Sequence, residues 1–427
     1  MATTPAGRHL AAPLGLVVLP LATTSFAQTP GGFERGPALE LREHFEHLEV
    51  TAREPMLVSG PEGVLYVSGY PSRVTGQDWT VPPLLWRSDD GGRRWAPVSV
   101  GEPGDGAQGN SDVDLALAAD GALYFATMGF NRETREGTHV SLGSSTDSGK
   151  SWRWHMLSRA TLSDRPWIAA DDEGSAYAIW NDGAGVLFTR SSDRGANWTT
   201  PGRIADSGGS SHLTVGPGGR IAVRVSPASA SGNRFDASAD FILVSADRGG
   251  TWARVDPPAK LRWDPNPENP EGIPRWVSPL AFTPDGHLHH VWSKGDAVHH
   301  AASADLGNTW TRSKLADADG TAFFPFLTAD AEGRLAATWF VNRDSTLTVQ
   351  LALLTPSKGS SKPSVSLAEP FIPDSWEERL DTRRASPAGE YAAVAFLENG
   401  DIGVVTPVQD LHNARGGFSL RRFAIKP

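Results

Sequence analysis

One eight-residue phrase, Ser-x-Asp-x-Gly-x-x-Trp, is written five times in this chain. The copies run Ser88–Trp95, Ser145–Trp152, Ser191–Trp198, Ser245–Trp252 and Ser303–Trp310. They recur roughly 45–60 residues apart, the signature of a propeller or an array rather than of a single-core globule. The letters suit a tight turn between two strands. Asp accepts hydrogen bonds from the backbone N–H groups of its own turn, and Ser does so more weakly. Gly tolerates positive φ, and Trp then opens the next strand and buries a large ring. Asp90, Asp147, Asp193, Asp247 and Asp305 are therefore read as folding staples, since a catalytic or metal role would require five equivalent sites.

A second element precedes each phrase: an apolar strand, a turn ending in Gly, and another apolar strand. Its instances are Pro61-Glu62-Gly63-Val64-Leu65, Asp120-Gly121-Ala122-Leu123, Glu173-Gly174-Ser175-Ala176, Gly218-Gly219-Arg220-Ile221 and Asp285-Gly286-His287-Leu288. Two more, Glu332-Gly333-Arg334-Leu335 and Gly389-Glu390-Tyr391-Ala392, have no phrase downstream. Seven units result, each divisible into four short strands, which is one propeller blade. Unit three divides into Pro166–Ala170, Ala176–Trp180, Val186–Ser191 and a strand from Trp198. The expected fold is an all-β propeller of four-stranded blades, seven in number, with six as the alternative. Residues 53–427 are assigned to the propeller and 28–52 to a peripheral N-terminal extension. With 45 Gly and 32 Pro in 427 residues, the composition agrees with many short strands joined by turns.

Residues 1–27 read as a secretory signal. Arg8 gives a positive start, Leu10–Ala22 is apolar but broken by Pro13 and Pro20, and Ser25-Phe26-Ala27 supplies small residues before a cleavage site. That stretch is too short and too Pro-rich for a membrane span. The protein is expected outside the cytoplasm, periplasmic or extracellular, with no membrane insertion after cleavage. It has no Cys, which removes disulfides and thiol catalysis, and 15 Trp to build its core. The net charge of −10, without a Lys/Arg-rich run, argues against nucleic acid as a partner.

In a propeller the loops entering the inner strands, and those joining second to third strands, gather at one mouth, with the Ser-x-Asp-x-Gly turns on the other face. At the mouth the sequence offers Arg53-Glu54, Asp112 and Asp114, Asp164-Arg165, His212, Arg275-Trp276 and Arg383-Arg384. The second-to-third loops add Asp78, Arg132 to Arg135, Asn181-Asp182, Lys294 and Arg343-Asp344. Taken singly these are solvated loop charges. Together they form a mixed-charge mouth suited to a polar ligand such as a sugar.

The repeated phrase resembles the Asp-box, or BNR repeat, of the sialidase superfamily. The resemblance implies a first-blade Arg motif, an acid/base Asp before the first box, a Tyr–Glu nucleophilic pair and further Arg gripping a carboxylate, for which planar guanidinium groups are suited. Arg53-Glu54-Pro55-Met56 is similar to the opening motif, with Glu54 in place of Ile. Asp78 lies ten residues before the first box, near the expected acid/base. Tyr391-Ala392-Ala393-Val394-Ala395-Phe396-Leu397-Glu398-Asn399-Gly400 matches the segment carrying the nucleophilic Tyr. Departures are also present. Ala392 replaces Ser, Thr406-Pro407 stands where Tyr-Glu is usual, Val277 or Ser278 occupies the partner-Glu position, and Ser293-Lys294 the second-Arg position. Unit three, with Asp164-Arg165-Pro166, has no counterpart in the six-bladed enzymes.

The resemblance implies Asp78 and Tyr391 as catalytic residues and Arg53 as a substrate-binding one; the mouth reading adds Glu54, Asp112, Asp164, Arg165, Arg275 and Arg384 as substrate-binding candidates. No metal or cofactor is expected, and a glycan or other carbohydrate is the expected ligand. Three functions remain open: a sialidase-like hydrolase of terminal acidic sugars, a non-catalytic glycan- or protein-binding propeller, and a hydrolase or lyase of another polysaccharide. Nothing in the sequence sets an oligomeric state. His287, His289, His290, His299 and His300 share one hairpin; if Trp292 pairs with Val298, His290 faces His300, an edge or channel-facing polar pair. The acidic loop Asp264–Glu271 reads as an inter-blade connector.

Overall fold

The computed structural model describes residues 32–50, 52–71, 81–131, 133–226, 240–260, 279–343, 346–356, 362–373, 391–410 and 415–426. Their strands form seven sheets, each antiparallel and four-stranded apart from one added edge strand, which are the seven blades of a propeller. Blade one comprises Ala52–Ser59, Leu65–Pro71, Leu84–Ser88 and Ala96–Pro97; blade two runs from Ser111–Leu117 to Arg153–Ser158. Blade three comprises Ser163–Ala170, Ala176–Asp182, Val186–Ser191 and Gly202–Ala205. Blades four, five and six begin with inner strands Gly209–Gly216, Leu280–Phe282 and Thr321–Ala329. Blade seven begins with Ala393–Phe396. The seven-blade expectation holds, and six blades is set aside.

The repeated phrase folds identically in all five copies. In the second, Ser145 Oγ donates to Asp147 Oδ1 at 2.8 Å and accepts from Gly149 N at 2.9 Å, while Ser151 N donates to Asp147 Oδ1 at 2.9 Å. The same three bonds recur at Ser88, Ser191, Ser245 and Ser303. The turn needs two consecutive residues with positive φ. The Gly supplies one, and the residue before it (Ser148 at φ 62°, Arg194 at 58°, Leu306 at 55°) supplies the other. The hydrogen bonds over-determine a conformation that a non-glycine residue otherwise avoids. Trp152 Nε1 closes the turn on Gly149 O at 3.1 Å. Trp precedes the outer strand rather than opening it; in blade three that strand starts at Gly202, not Trp198.

The ring closes with the N-terminal segment. Ala38–Leu48 is the outermost strand of blade seven, antiparallel to Arg415–Lys426, and Glu34–Arg35 adds in parallel to Ser364–Leu367 of blade six. Residues 34–35 and 38–48, within the stretch expected to be a peripheral extension, thus pair into blades six and seven. Charges lock the seam. Asp401 receives Arg42 at 2.9 Å and Arg422 at 3.2 Å, Arg422 pairs with Glu43 at 2.7 Å, and Arg422 also donates to Gly91 O of the first box.

Two sequence registers are corrected. In blade seven the turn after the inner strand is Leu397–Gly400, closed by Leu397 N to Asp401 O at 2.9 Å. Gly389, where the turn was expected, lies outside the described residues, and Tyr391 stands two residues before the inner strand instead of after the turn. In blade five Trp292 pairs with His299, one residue from the expected Val298, so His290 faces Ala301. A one-residue slip exchanges the faces. The His pair that forms is His289 Nδ1 with His300 Nε2, 3.0 Å apart and stacked. Among the described residues no group of three or more such ligands is placed to hold a metal.

Candidate functional site: a crown of side chains at the channel mouth

The turns after the inner strands fix which face is which. Gly91 N of the first box donates to Gly63 O at 3.2 Å, and Arg248 N of the fourth donates to Gly219 O at 3.1 Å. Boxes and first-to-second turns therefore share one face, and the loops entering the inner strands lie at the other.

The same turns align the inner strands. Gly60, Ala118, Asp171, Thr283, Asp330 and Leu397 each donate a backbone N–H to the carbonyl four residues on. Gly216 is placed by the short helix Pro217–Gly219, the counterpart of Pro61–Gly63. Counted back from these positions, side chains alternate with the period of a strand. Leu57, Leu115, Ile168, Leu213, Leu280, Leu327 and Val394 are equivalent and buried between blades. The next residues toward the turn, Val58, Ala116, Ala169, Thr214, Ala281, Thr328 and Ala395, are all small.

Toward the mouth the alternation is broken deliberately. The ladder slips between Arg53 and Met56, between Ser111 and Val113, between Asp164 and Trp167, between Ser210 and His212, and between Phe323 and Phe326. A bulge of this kind re-aims side chains at a sheet end. In blades one, three and six the bulged residue stands before proline with positive φ: Glu54 at 47°, Arg165 at 51° and Phe324 at 48°. The equivalent residues form a crown: Glu54, Asp112, Arg165, Ser210, Phe324 and Tyr391, with the blade-five member, Val277, outside the described residues.

Contacts across the ring show that this crown reaches the axis. Arg165 Nη1 of blade three donates to Tyr391 Oη of blade seven at 3.3 Å. One layer below, Trp167 packs on His212 at 5.3 Å, His212 on Phe326 at 6.0 Å, Phe326 on Tyr391 at 6.2 Å and Tyr391 on Trp167 at 5.6 Å. Trp167, His212 and Phe326, from blades three, four and six, floor the mouth, and the crown residue Tyr391 of blade seven rests on two of them. The Arg165–Tyr391 chord leaves Glu54 and Asp112 on the arc of blades one and two, and Ser210 and Phe324 on the other.

The electrostatics follow from enclosure. Burial works against the Arg53 charge, but Tyr70, Glu54 and Asp112 outweigh it and hold the guanidinium above its ordinary value. Its Cζ lies 5.8 Å from the Tyr70 ring centre, within cation–π range. Asp114, in the floor layer, accepts Leu115 N at 2.9 Å and Ile168 N at 2.8 Å. Burial nevertheless pushes its carboxyl up to about 8. Burial pushes His212 down to about 4, and its Nδ1 accepts Leu280 N at 3.2 Å.

Of the sequence candidates, the structure brings Arg53, Glu54, Asp112, Arg165 and Tyr391 to the mouth end of the inner strands. Asp164 sits there too, half-buried and paired through the backbone with Asn181. Asp78, Arg275, Arg383 and Arg384 lie outside the described residues, as does the loop 264–271. Sequence reading missed Trp167, Phe326 and Phe324. Their signal was the repeated residue-Pro step at Glu54-Pro55, Arg165-Pro166 and Phe324-Pro325, six residues before each turn.

No family model matches the chain, and no curated protein does. Solved structures do. A protein of unknown function from Dyadobacter fermentans is 15% identical, covers 91% of this chain and 100% of its own, and has a TM-score of 0.51. A Penicillium chrysogenum α-L-arabinanase complexed with arabinobiose is 12% identical over 89% of this chain and 98% of its own, at a TM-score of 0.46. A Hadza microbial sialidase is 15% identical over 77% of this chain and 68% of its own, also at 0.46. At these identities the likeness shows the fold alone, and function has to be argued from the site.

Proposed function

We propose that the crown is the substrate site of an exported, sialidase-like glycoside hydrolase acting on terminal acidic sugars of glycans. The carrying observation is the Arg165–Tyr391 contact across the channel. It puts the phenol oxygen that the Asp-box resemblance marks as nucleophile at the axis, beneath the mouth, with a guanidinium on it. A guanidinium there stabilises negative charge developing on that oxygen and offers paired N–H donors to a sugar carboxylate. The aromatic floor of Trp167, His212 and Phe326 suits the apolar face of a pyranose ring. Arg53, steadied by Tyr70, Glu54 and Asp112, would be the second carboxylate-gripping cation, with Arg275 and Arg384 as further candidates. Asp164 would take sugar hydroxyls, and Asp78 is assigned the acid/base role. Export rests on residues 1–27; among the described residues no helix is long and apolar enough to cross a membrane.

The enclosure of Tyr391, 3% exposed, favours a second reading, in which the same mouth binds a glycan or protein without cleaving it. Fluorogenic sialosides and uronides separate the two. Release by the native protein and loss in Asp78→Asn supports hydrolysis. Binding on a glycan panel with no release from any glycoside selects the binding reading.

A further inference from the structure

Two side chains meet across the channel, and the main chain of one of them is strained. Arg165 stands at φ 51° and is followed by Pro166. A residue before proline prefers extended backbone. A non-glycine residue keeps a positive φ only where its surroundings over-determine it. The Arg165–Pro166 peptide has no N–H. Its single hydrogen-bonding group is the Arg165 carbonyl, so whatever holds that oxygen holds the peptide plane and, with it, the aim of the side chain.

Ser210 of blade four holds it. Its hydroxyl is fully buried and donates to Arg165 O at 2.7 Å. Ser210 is fixed in turn, because its backbone N–H donates to Asn181 Oδ1. Asn181 is buried, and its own backbone is paired with Asp164, the residue before Arg165. These four residues close a circuit that crosses from blade three to blade four and returns. Ser210 is the blade-four member of the crown, yet its hydroxyl proton is committed to the neighbouring main chain and not offered to the channel. The far end of the contact is held in the same way. Thr338 of blade six donates its hydroxyl to Ala392 O, beside Tyr391, which keeps the phenol a fixed reporter of the guanidinium.

We propose that Ser210 is a positioning residue for Arg165: its hydroxyl keeps the Arg165–Pro166 peptide in the strained conformation that delivers the guanidinium to the Tyr391 hydroxyl. The functional consequence rests on the reading of the crown as a site for acidic sugars; the positioning rests on the hydrogen-bonded circuit. Without the Ser210 hydroxyl the Arg165 carbonyl loses that donor. The backbone then relaxes toward the extended form favoured before proline, and the side chain turns away from Tyr391.

The test uses the full chain labelled with 3-fluorotyrosine. Its five Tyr give separate fluorine signals, and Tyr391→Phe identifies one of them. Arg165→Ala sets the position of that signal without the guanidinium. Ser210→Ala is expected to move it most of the way there, Asn181→Ala to move it in the same direction, and Ser210→Thr, which keeps a hydroxyl, to restore it. Thr189→Val is the control. It also removes a buried hydroxyl of blade three, one that donates to Thr199 O at 2.6 Å, and should leave the Tyr391 signal in place. Calorimetric titration with N-acetylneuraminic acid and glucuronic acid reads the consequence. Ser210→Ala should weaken binding about ten-fold, the worth of one charge-assisted hydrogen bond, and should have no further effect once Arg165 is Ala. A Tyr391 signal unmoved by Ser210→Ala, or moved equally by Thr189→Val, overturns the assignment. Absence of acidic-sugar binding by the native protein removes the ligand reading instead, and the fluorine signal alone then decides the positioning.

Discussion

Replacing Ser145 by Ala tests the turn on which the architecture depends. The Ser145 hydroxyl is buried, at 2% exposure, and makes two strong bonds, donating to Asp147 Oδ1 at 2.8 Å and accepting Gly149 N at 2.9 Å. Alanine leaves the Gly149 N–H enclosed without that acceptor. An orphaned buried donor costs about 1–3 kcal/mol, so the expected loss is about 2 kcal/mol. With an unfolding entropy of roughly 2.1 cal/mol/K per residue, a chain of this length would shift its Tm by only about 2 °C. Denaturant unfolding is therefore the better assay, read as a lower midpoint at unchanged slope. Pairing the change with Asp147→Ala sharpens the argument. Both act on one turn, so the double variant should lose less than the sum of the singles. A Ser145→Ala protein within about 0.5 kcal/mol of native, or strict additivity with Asp147→Ala, would refute the role given to the hydroxyl.

Three further outcomes follow from the same physical picture. The box carboxylates Asp147 and Asp247 are held down to about 2, by the Ser151 hydroxyl first for Asp147 and by the Thr251 backbone first for Asp247. A carboxylate depressed in the folded state stabilises above its unfolded value, near pH 4, so this contribution should fade between roughly pH 4 and 2; equilibrium unfolding across that window checks it. Burial pushes His289 to about 4 and His300 to about 3. His289 is half-buried and His300 buried, and both are held neutral in the fold, so stability should fall as pH drops from roughly 6.5 toward 4, a slope that His289→Gln should reduce. At the ring seam, Asp401→Ala would remove one of the two carboxylates on the nearly buried Arg422 and leave it Glu43, at a cost of about 1–3 kcal/mol by denaturant unfolding.

Much of this fold is written plainly, because the box encodes its own turn through bonds among its own residues. Ser145, Asp147 and Gly149 need no distant partner to set their geometry. Blade count was readable for the same reason: each unit carries its own turn and strand pair. Ala38–Leu48 was not readable. It is an edge strand with mostly exposed side chains and a register slip between Leu41 and Glu43, so no clean alternation betrays it. Its partner lies at the opposite end of the chain. The slip in the blade-five hairpin has a simpler cause. Val291, His300 and Ala301 are all buried, so hydrophobicity does not choose between registers one residue apart.

The candidate site was half legible. Arg53, Arg165 and Tyr391 stand out by residue type and by place before an inner strand. Which of them meet is decided by the bulges, which displace the inner strand by one step and aim Arg165 across the channel at Tyr391. Spacing along the sequence cannot show a contact between blades three and seven. The floor of Trp167 and Phe326 was hidden because an apolar residue on an inner strand reads as ordinary core until the turns are aligned.

The central claim is that the Tyr391 oxygen, held at the axis by Arg165, is the nucleophile of a glycoside hydrolase. A fluorinated acidic glycosyl fluoride, which forms a covalent intermediate quickly and releases it slowly, tests this directly. Peptide mass spectrometry of the treated native protein should find the added sugar on Tyr391, and Tyr391→Phe should carry none. Label on an Asp or Glu side chain, or turnover of an acidic glycoside that survives Tyr391→Phe undiminished, would contradict the account.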